Sequence, residues 1–223
     1  MCGRFTLTWD QWHRVADRLG LSDDGGLDAS YRPRWNIAPT DEHFIVTSRF
    51  ERRVAQRARW GLINRWARDN KRAAQAINAK AETLETRSSF REAFSQHRCV
   101  IPADGFYEWT GPKVQRQPFW IHPANGGLML FAGLYESWYP EPNRPQLTLT
   151  IVTCPANALI GSIHDRMPVV LDEGGAEDWM NPHEPNPASL KRLLIPAPEG
   201  ALEMRPASPL ANSVRNDGPE LLG

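Results

Sequence analysis

Residues 147–153 read Leu-Thr-Leu-Thr-Ile-Val-Thr, a regular alternation of apolar and polar side chains. Because successive side chains of a β-strand point to opposite faces, this pattern predicts a strand with one face in a core. Shorter runs rich in β-branched and aromatic residues predict further strands at 44–47, 54–60, 99–102, 105–110, 119–122 and 128–135. The first two of these would form a hairpin through Ser48 to Arg53.

A second set of patterns predicts helices between and around these strands. Residues 12–19 carry an apolar stripe at helical spacing, Thr8 and Gln11 have the spacing of a capping box, and Gly20 would end the helix. Shorter helices are predicted near 89–94, 155–163, 175–181 and 187–194. Antiparallel strands with peripheral helices indicate the α+β class, with residues 1–223 as a single domain. Strands this numerous could curl into a barrel.

The composition is that of an ordinary globular protein, with 41% hydrophobic and 23% charged residues. No apolar run reaches the roughly 18 residues that a membrane helix needs, and charged side chains interrupt the first twenty positions. We therefore expect no signal peptide and no membrane partner. The expected location is the cytoplasm, with nucleoid association if the source is bacterial.

The three cysteines, Cys2, Cys99 and Cys154, form no spaced pair. This spacing argues against both a disulfide framework and a zinc ribbon. We expect neither a metal nor a cofactor.

The formal net charge is zero, but the charges are unevenly distributed. Residues 32–98 hold thirteen Arg and two Lys against seven acids, a net of plus eight, whereas residues 1–31 and 99–223 carry minus two and minus six. Arginine supplies 22 of the 26 basic residues, and its planar guanidinium suits phosphate oxygens. Three tryptophans, Trp35, Trp60 and Trp66, lie in the same segment, as is typical of grooves for single-stranded nucleic acid. The alternative is that the tryptophans are core residues and the arginines a solvated face.

Cys2 is the residue most informative about chemistry. Removal of Met1 would place a free α-amine beside its thiol, and such a 1,2-aminothiol can condense with an aldehyde and then close a thiazolidine ring. The ring closure is intramolecular and gains a large effective concentration. An α-amine with a pKa of about 7.7–8.0 is roughly 10 to 15% neutral at pH 7, far more than a lysine, and is the better Schiff-base former. The alternative is that Cys2 is only a small hydrophobe.

Three further polar residues lie among side chains that look buried or rigid. Asn78 sits between small apolar residues, Glu108 is flanked by aromatic residues, and His164 follows the short helix predicted at 155–163. Partial desolvation would raise the pKa of Glu108, and the charge of a histidine can be tuned near pH 7. Each also has a structural interpretation: Asn78 as a turn cap, Glu108 as the partner of an arginine, and His164 as a hydrogen-bonded core residue.

Together with the start Met1-Cys2-Gly3-Arg4-Phe5, these stretches resemble the SOS-response-associated peptidase (SRAP) family, whose members process abasic sites in DNA. The matching motifs follow one another in the expected order from residue 2 to about 171. They are Trp35-Asn36-Ile37-Ala38-Pro39-Thr40, Arg59-Trp60-Gly61-Leu62, Asn78-Ala79-Lys80-Ala81-Glu82-Thr83, residues 101–109, Phe131-Ala132-Gly133-Leu134 and Ile163-His164-Asp165-Arg166-Met167-Pro168. The run Asn216-Asp217-Gly218-Pro219-Glu220 is similar to the closing segment of the family.

The resemblance implies a mixed, mainly antiparallel α+β fold built on a partly open β-barrel with flanking helices. It also implies that processed Cys2 crosslinks covalently to the ring-opened aldehyde of an abasic deoxyribose in single-stranded DNA. By motif position Asn78 would orient the terminal residue, and Glu108 would manage protons on the amine and the Schiff base. His164 would act as acid or base at the sugar oxygen.

The same resemblance implies a set of DNA contacts. Arg4, Lys80 and Arg166 match positions expected to hold backbone phosphates, while Trp66 and Trp109 would pack against bases. The expected partner is single-stranded DNA containing abasic sites, bound by a monomer.

The sequence departs from the family pattern at three positions. Lys80 stands where Arg is usual, which keeps the charge but loses the bidentate fork. Trp35 replaces the commoner Tyr, and Asn64 stands where Pro is usual, so the loop before Trp66 would be less rigid.

Two other functions remain open from the residues. An N-terminal-nucleophile amidohydrolase would use the Cys2 thiol to attack an amide, with its own amine as the base. A passive single-strand binding module would rely on the basic segment alone. The family name also carries a peptidase activity, and elimination from a Schiff base would give a weak lyase activity.

Overall fold

The computed structural model describes residues 2–21, 30–49, 52–71, 73–112, 115–184 and 186–223. The strands within these ranges are β1 (Phe5–Leu7), β2 (Arg34–Ile37), β3 (Glu42–Arg49), β4 (Arg52–Trp60), β5 (Asn78–Lys80), β6 (Arg98–Ala103), β7 (Gly105–Thr110), β8 (Gln117–Pro123), β9 (Met129–Glu141), β10 (Arg144–Pro155), β11 (Arg166–Pro168), β12 (Val170–Leu171) and β13 (Leu202–Pro206). The α-helices are α1 (Trp12–Leu19), α2 (Ser88–Gln96), α3 (Ala158–Gly161) and α4 (Glu173–Met180).

Five of these strands close into a ring in the order β10, β4, β3, β6, β9 and back to β10. The long strands β9 and β10 pair antiparallel from Arg144↔Glu141 to Ile151↔Gly133. Two of the strand pairs in the ring are short. Strand β3 pairs with β6 at Val46↔Val100, and β4 pairs in parallel with β10 over two residue pairs. The predicted α+β class with a mainly antiparallel, barrel-like core is therefore confirmed.

A second sheet lies beside the ring, in the order β13, β8, β7, β1, β2. Strand β1 lies between β7 and β2, with Phe5 opposite both Phe106 and Ile37. The short strand β5 instead adds to the ring, where Asn78 pairs in parallel with Ile151 of β10. Both β1 and β5 therefore bring residues of the proposed site to the junction of the two sheets.

The core at this junction is aromatic. The Phe5 ring meets the Trp60 ring edge-on at 5.1 Å between centroids and the Phe131 ring at 6.1 Å. All three side chains are fully buried. Such edge-to-face pairs stabilise by about 0.5–1.5 kcal/mol beyond area burial. The start of the chain is thereby packed against the barrel.

The helix predictions are confirmed in part. Helix α1 ends at Gly20, which has a φ of 59° in the left-handed region that favours glycine. The predicted capping box is wrong, because Gln11 is the N-cap and makes no side-chain cap bond, while Thr8 bonds to Asp104. Only Ala158–Gly161 of the predicted 155–163 helix is α-helical, and Pro187–Leu193 is a 3₁₀ helix.

The predicted strands are all present, and most of them are longer than expected. Residues 50 and 51, at the tip of the predicted hairpin, lie outside the described residues, but strands β3 and β4 pair from Glu42↔Arg59 to Arg49↔Arg52. None of the helices in the described ranges combines the length and hydropathy needed to cross a bilayer.

Candidate functional site

Cys2 lies fully buried just before β1, beside two of the residues singled out in the sequence. The side-chain Nδ2 of Asn78 donates a hydrogen bond of 2.8 Å to the Cys2 backbone oxygen. Asn78 is itself fixed because it begins β5, which pairs with β10. Met1 lies outside the described residues.

Burial controls the chemistry of the Cys2 thiol. Desolvation raises the pKa of Cys2 far above its usual range, and the negative charge of Glu108 raises it further. The Cys2 thiol donates a hydrogen bond to the backbone oxygen of Arg4, with 3.7 Å between sulfur and oxygen. The thiol is therefore neutral at pH 7, and its sulfur needs a proton acceptor when it reacts.

Glu108 is the buried carboxylate of the site, with 3% of the residue exposed. It lies on β7, the neighbour of β1. Burial raises the pKa of Glu108, and the charge of a protonated His164 opposes that rise. The Glu108 carboxyl therefore lies within electrostatic reach of both Cys2 and His164, which suits it to accept and return protons.

His164 follows α3 and has a defined ring orientation. Its Nδ1 accepts a 3.0 Å hydrogen bond from the backbone N–H of Arg166. When Nδ1 accepts, the neutral ring carries its proton on Nε2, whereas the other tautomer would let Nδ1–H donate to the backbone oxygen of Arg166 at 3.2 Å. On protonation, Nδ1–H can instead donate to the exposed carboxylate of Asp165, 3.1 Å away.

The Asn78 side chain also offers a hydrogen-bond acceptor. Its Oδ1 is buried and has no hydrogen-bond partner among the described residues. A buried polar atom of this kind costs free energy unless a ligand or water satisfies it. Asn78 can therefore hold the Cys2 backbone with Nδ2 while Oδ1 accepts a bond from an amine or hydroxyl.

The five proposed DNA-binding residues lie in different environments. Trp66 is 65% exposed and borders a groove of about 530 Å³, together with Asn64 and Lys71. The Asn64 Nδ2 donates to Ser89 O at 2.9 Å, which ties the loop to α2. Trp109 is partly exposed and donates through Nε1 to Asn212 at 2.7 Å.

The basic residues differ in availability. Lys80 is exposed at the end of β5. Arg166 is 9% exposed, and its two terminal nitrogens donate to the Glu82 carboxylate at 2.5 and 2.9 Å. Arg166 would therefore reach a phosphate only by exchanging or sharing Glu82. Arg4 is half-buried, with its guanidinium 5.7 Å from the Trp109 ring centroid.

The basic segment is partly structural. Trp60 is a fully buried core residue whose Nε1 donates to Ile77 O at 2.9 Å. Arg98 is enclosed by backbone carbonyls, including those of Phe94 and Trp179. The charge excess of residues 32–98 therefore overstates the positive surface offered to a polyanion.

Sequence reasoning missed the residues that hold the start of the chain. The Asp104 carboxylate accepts three hydrogen bonds of 2.6 Å, from Thr6 Oγ1, Thr8 N and Thr8 Oγ1. Asn36 is fully buried and accepts from Arg4 Nη1 at 2.8 Å. Both residues lie within motifs quoted from the sequence, but their partners are separated from them by 32 to 98 positions.

The described residues contain no group of three or more His, Cys, Asp or Glu side chains placed to hold a metal ion. The four site residues singled out in the sequence supply a thiol, a carboxylate, an imidazole and an amide.

Comparison with known proteins places this geometry in context. The family model described as SOS response associated peptidase (SRAP) matches residues 1–214. Abasic site processing protein YoqW of Bacillus subtilis is 38% identical, over 100% of this chain and 99% of that protein. Abasic site processing protein YoaM of the same organism is 37% identical, over 100% and 97%. A crystal structure of a protein from Bacteroides thetaiotaomicron superposes with a TM-score of 0.87 at 25% identity, over 99% of this chain and 98% of that one.

Proposed function

Because the chain belongs to the SRAP family, whose relatives above are named abasic site processing proteins, we propose that it captures abasic sites in single-stranded DNA. Capture would be covalent, through Cys2 after removal of Met1. The product would be a thiazolidine that joins the protein to the deoxyribose of the lesion.

The first step is condensation. The neutral α-amine of Cys2 attacks the C1 aldehyde of the ring-opened sugar, and the carbinolamine loses water to give an imine. Amine attack needs a proton acceptor and dehydration needs a proton donor. Glu108, whose pKa burial raises, supplies the carboxyl group for both transfers. His164 supplies Nε2–H to the sugar oxygen during ring opening.

The second step is ring closure. The Cys2 sulfur adds to the imine carbon, its proton leaves, and the imine nitrogen gains a proton. One carbon–sulfur bond forms, and the net change over both steps is the loss of one water. Because burial keeps the sulfur protonated, this step depends on a nearby acceptor, and Glu108 is the charged neighbour that raises the pKa of Cys2.

The observation that carries the proposal is the hydrogen bond from Asn78 to the Cys2 backbone oxygen. The bond supports the proposal because it fixes the residue whose thiol has the buried Glu108 carboxyl as a charged neighbour, and His164 is in turn a charged neighbour of Glu108. A cysteine that served only as a core hydrophobe would need none of these three groups.

DNA would reach this site along the exposed side of β5 and the Trp66 loop. Lys80 and Arg4 would contact phosphates, Trp66 and Trp109 would stack on bases, and Arg166 would join if a phosphate displaced Glu82. The names of the similar proteins support this function over a cysteine amidohydrolase, because both are described as abasic site processing proteins.

The test is denaturing electrophoresis of the protein after incubation with an oligonucleotide that carries one abasic site. Wild type should give a shifted band without borohydride. Cys2→Ser should give none unless borohydride traps the imine, since an alcohol closes the ring far less well than a thiol. Cys99→Ser, a buried cysteine outside the site, is the matched control. A heat-stable band from a protein with an extra residue before Cys2 would rule out the aminothiol mechanism.

A further inference from the structure

The C-terminal segment, defined here as residues 207–221, lies against the side chain of Arg4. It is joined to β8 by the bond from Ala207 N to Pro118 O, at 2.9 Å. From this segment the backbone oxygen of Ala211 accepts a 3.0 Å hydrogen bond from Arg4 Nη1. Residues distant in sequence from Cys2 are thus in direct contact with a side chain two positions away from it.

Asn36 joins the C-terminal segment to Arg4 from the other side. Its Oδ1 accepts from Arg4 Nη1 at 2.8 Å. Its Nδ2 donates to Ser213 O at 3.0 Å and to Asn216 O at 2.8 Å. The amide is fully buried and uses both of its donor hydrogens and its acceptor oxygen, so its orientation is defined.

Asp217 fixes the backbone that carries Asn36. One carboxylate oxygen, Oδ1, accepts from the N–H groups of Trp35 at 2.6 Å and Asn36 at 2.9 Å. The other oxygen, Oδ2, accepts from Arg34 Nε. The family model ends at residue 214, so Asp217 lies beyond its match.

These contacts leave one edge of the Arg4 guanidinium for a ligand. Nη1 has two hydrogens, and the bonds to Asn36 and Ala211 use both. The Trp109 ring lies 5.7 Å from the guanidinium carbon and restrains its plane. In the described part of the chain, all hydrogen bonds of this guanidinium come from Nη1, which leaves the Nε and Nη2 edge. That edge has the fork geometry that binds a phosphate through two parallel bonds.

We infer that Asn36 and Asp217 are positioning residues that turn the Nε and Nη2 edge of Arg4 toward the DNA phosphate beside the lesion. Asp217 thereby supports the DNA site from the C-terminal segment through Asn36 and Arg4. This inference rests on the proposed function, in which Arg4 binds a phosphate.

The test measures non-covalent affinity by fluorescence anisotropy at several salt concentrations. The probe is a single-stranded oligonucleotide with a tetrahydrofuran abasic analogue, which has no aldehyde and cannot crosslink. Arg4→Ala should weaken binding about tenfold and lower the slope of log K against log salt by about 0.7, the loss of one phosphate contact. Asp217→Ala should lower the affinity and the salt slope by the same amounts. The double variant Arg4→Ala/Asp217→Ala should bind DNA no more weakly than Arg4→Ala alone.

Two further variants separate positioning from charge. Asp217→Asn keeps an oxygen that can accept from both backbone N–H groups but loses the acceptor for Arg34 Nε, so it should bind more tightly than Asp217→Ala. Glu220→Ala removes a carboxylate from the same segment that makes no hydrogen bond or ion pair within the described ranges, and it should leave affinity unchanged. The Asp217 side chain is 26% exposed, so Asp217→Ala is not a core deletion, and thermal unfolding verifies that it is folded.

The outcomes are distinct. If Arg4→Ala weakens binding but Asp217→Ala does not, or if the two effects add in the double variant, the inference is wrong and the proposed function stands. If Asp217→Asn binds as weakly as Asp217→Ala, charge is responsible and the positioning role is wrong. Failure of wild type to crosslink a true abasic aldehyde would instead overturn the proposed function.

Discussion

At the scale of a residue, Glu108 links the buried environment of the site to a pH dependence. Burial raises its pKa, so the carboxylate becomes protonated as pH falls through a range above that of an ordinary glutamate, near 4.3. The neutral form of the Cys2 α-amine also disappears as pH falls, because the amine becomes protonated. The crosslinking rate of wild type should therefore fall with two protonations at acid pH.

Glu108→Gln should slow crosslinking by about 100-fold or more. Its pH profile should show a single protonation, that of the α-amine. The measurement is the single-turnover rate from pH 4 to 9. Glu136→Gln is the matched control, because Glu136 is equally buried but lies beside His97 instead of Cys2. An unchanged pH profile in Glu108→Gln would show that another group moves the proton.

At the scale of an element, strand β1 depends on Asp104. This carboxylate accepts three hydrogen bonds from Thr6 and Thr8, and it therefore holds the strand that carries Cys2 into the site. Asp104→Ala leaves two hydroxyl groups and a backbone N–H without their partner. The free energy of unfolding should fall by about 3 kcal/mol.

Chemical denaturation measures this loss, with Glu141→Ala as the control. Among the residues that the structure describes, the Glu141 carboxylate pairs only with exposed Arg144, so its replacement should change stability by less than about 0.5 kcal/mol. In folded Asp104→Ala the crosslinking rate should also fall, because β1 no longer fixes Cys2. Wild-type stability in this variant would contradict the assigned role of Asp104.

Element length decided which strands could be predicted. Strand β10 has twelve residues and a period of two, so its alternation identified it from the sequence. Strands β1, β5 and β11 have three residues each, too few to show a period, although they position Cys2, Asn78 and Arg166. The motifs identified the reactive residues, but their supports could not be predicted, since Asp217 is 181 positions from Asn36 and Glu82 is 84 from Arg166.

At the scale of the whole molecule, zero net charge conceals a basic segment that we propose faces DNA. Phosphate contacts release counterions, so the affinity for single-stranded DNA should fall with salt, with a slope of about −0.7 for each contact. Crosslinking at limiting protein should slow between 50 and 200 mM salt. At saturating protein it should not, because the chemical step takes place in a buried site.

Trp66→Ala separates stacking from charge in the same titration. It should weaken binding by about 1–3 kcal/mol without changing the salt slope, since a stacked base releases no counterion. Replacement of Ile195, an equally exposed apolar residue, by Ala should have no effect on binding. A changed salt slope in Trp66→Ala would contradict this, because it would mean that the substitution also removes a contact between a basic side chain and a phosphate.

The central claim is the covalent product at Cys2, and intact mass spectrometry tests it most directly. The protein is weighed before and after incubation with a single-stranded oligonucleotide that contains one abasic site, beside Cys2→Ala and an intact strand. The account predicts a starting mass that lacks Met1 and an adduct of protein plus DNA minus one water, formed without borohydride and absent from both controls. A correctly processed protein that gives no adduct, or an equal adduct from Cys2→Ala, would contradict it.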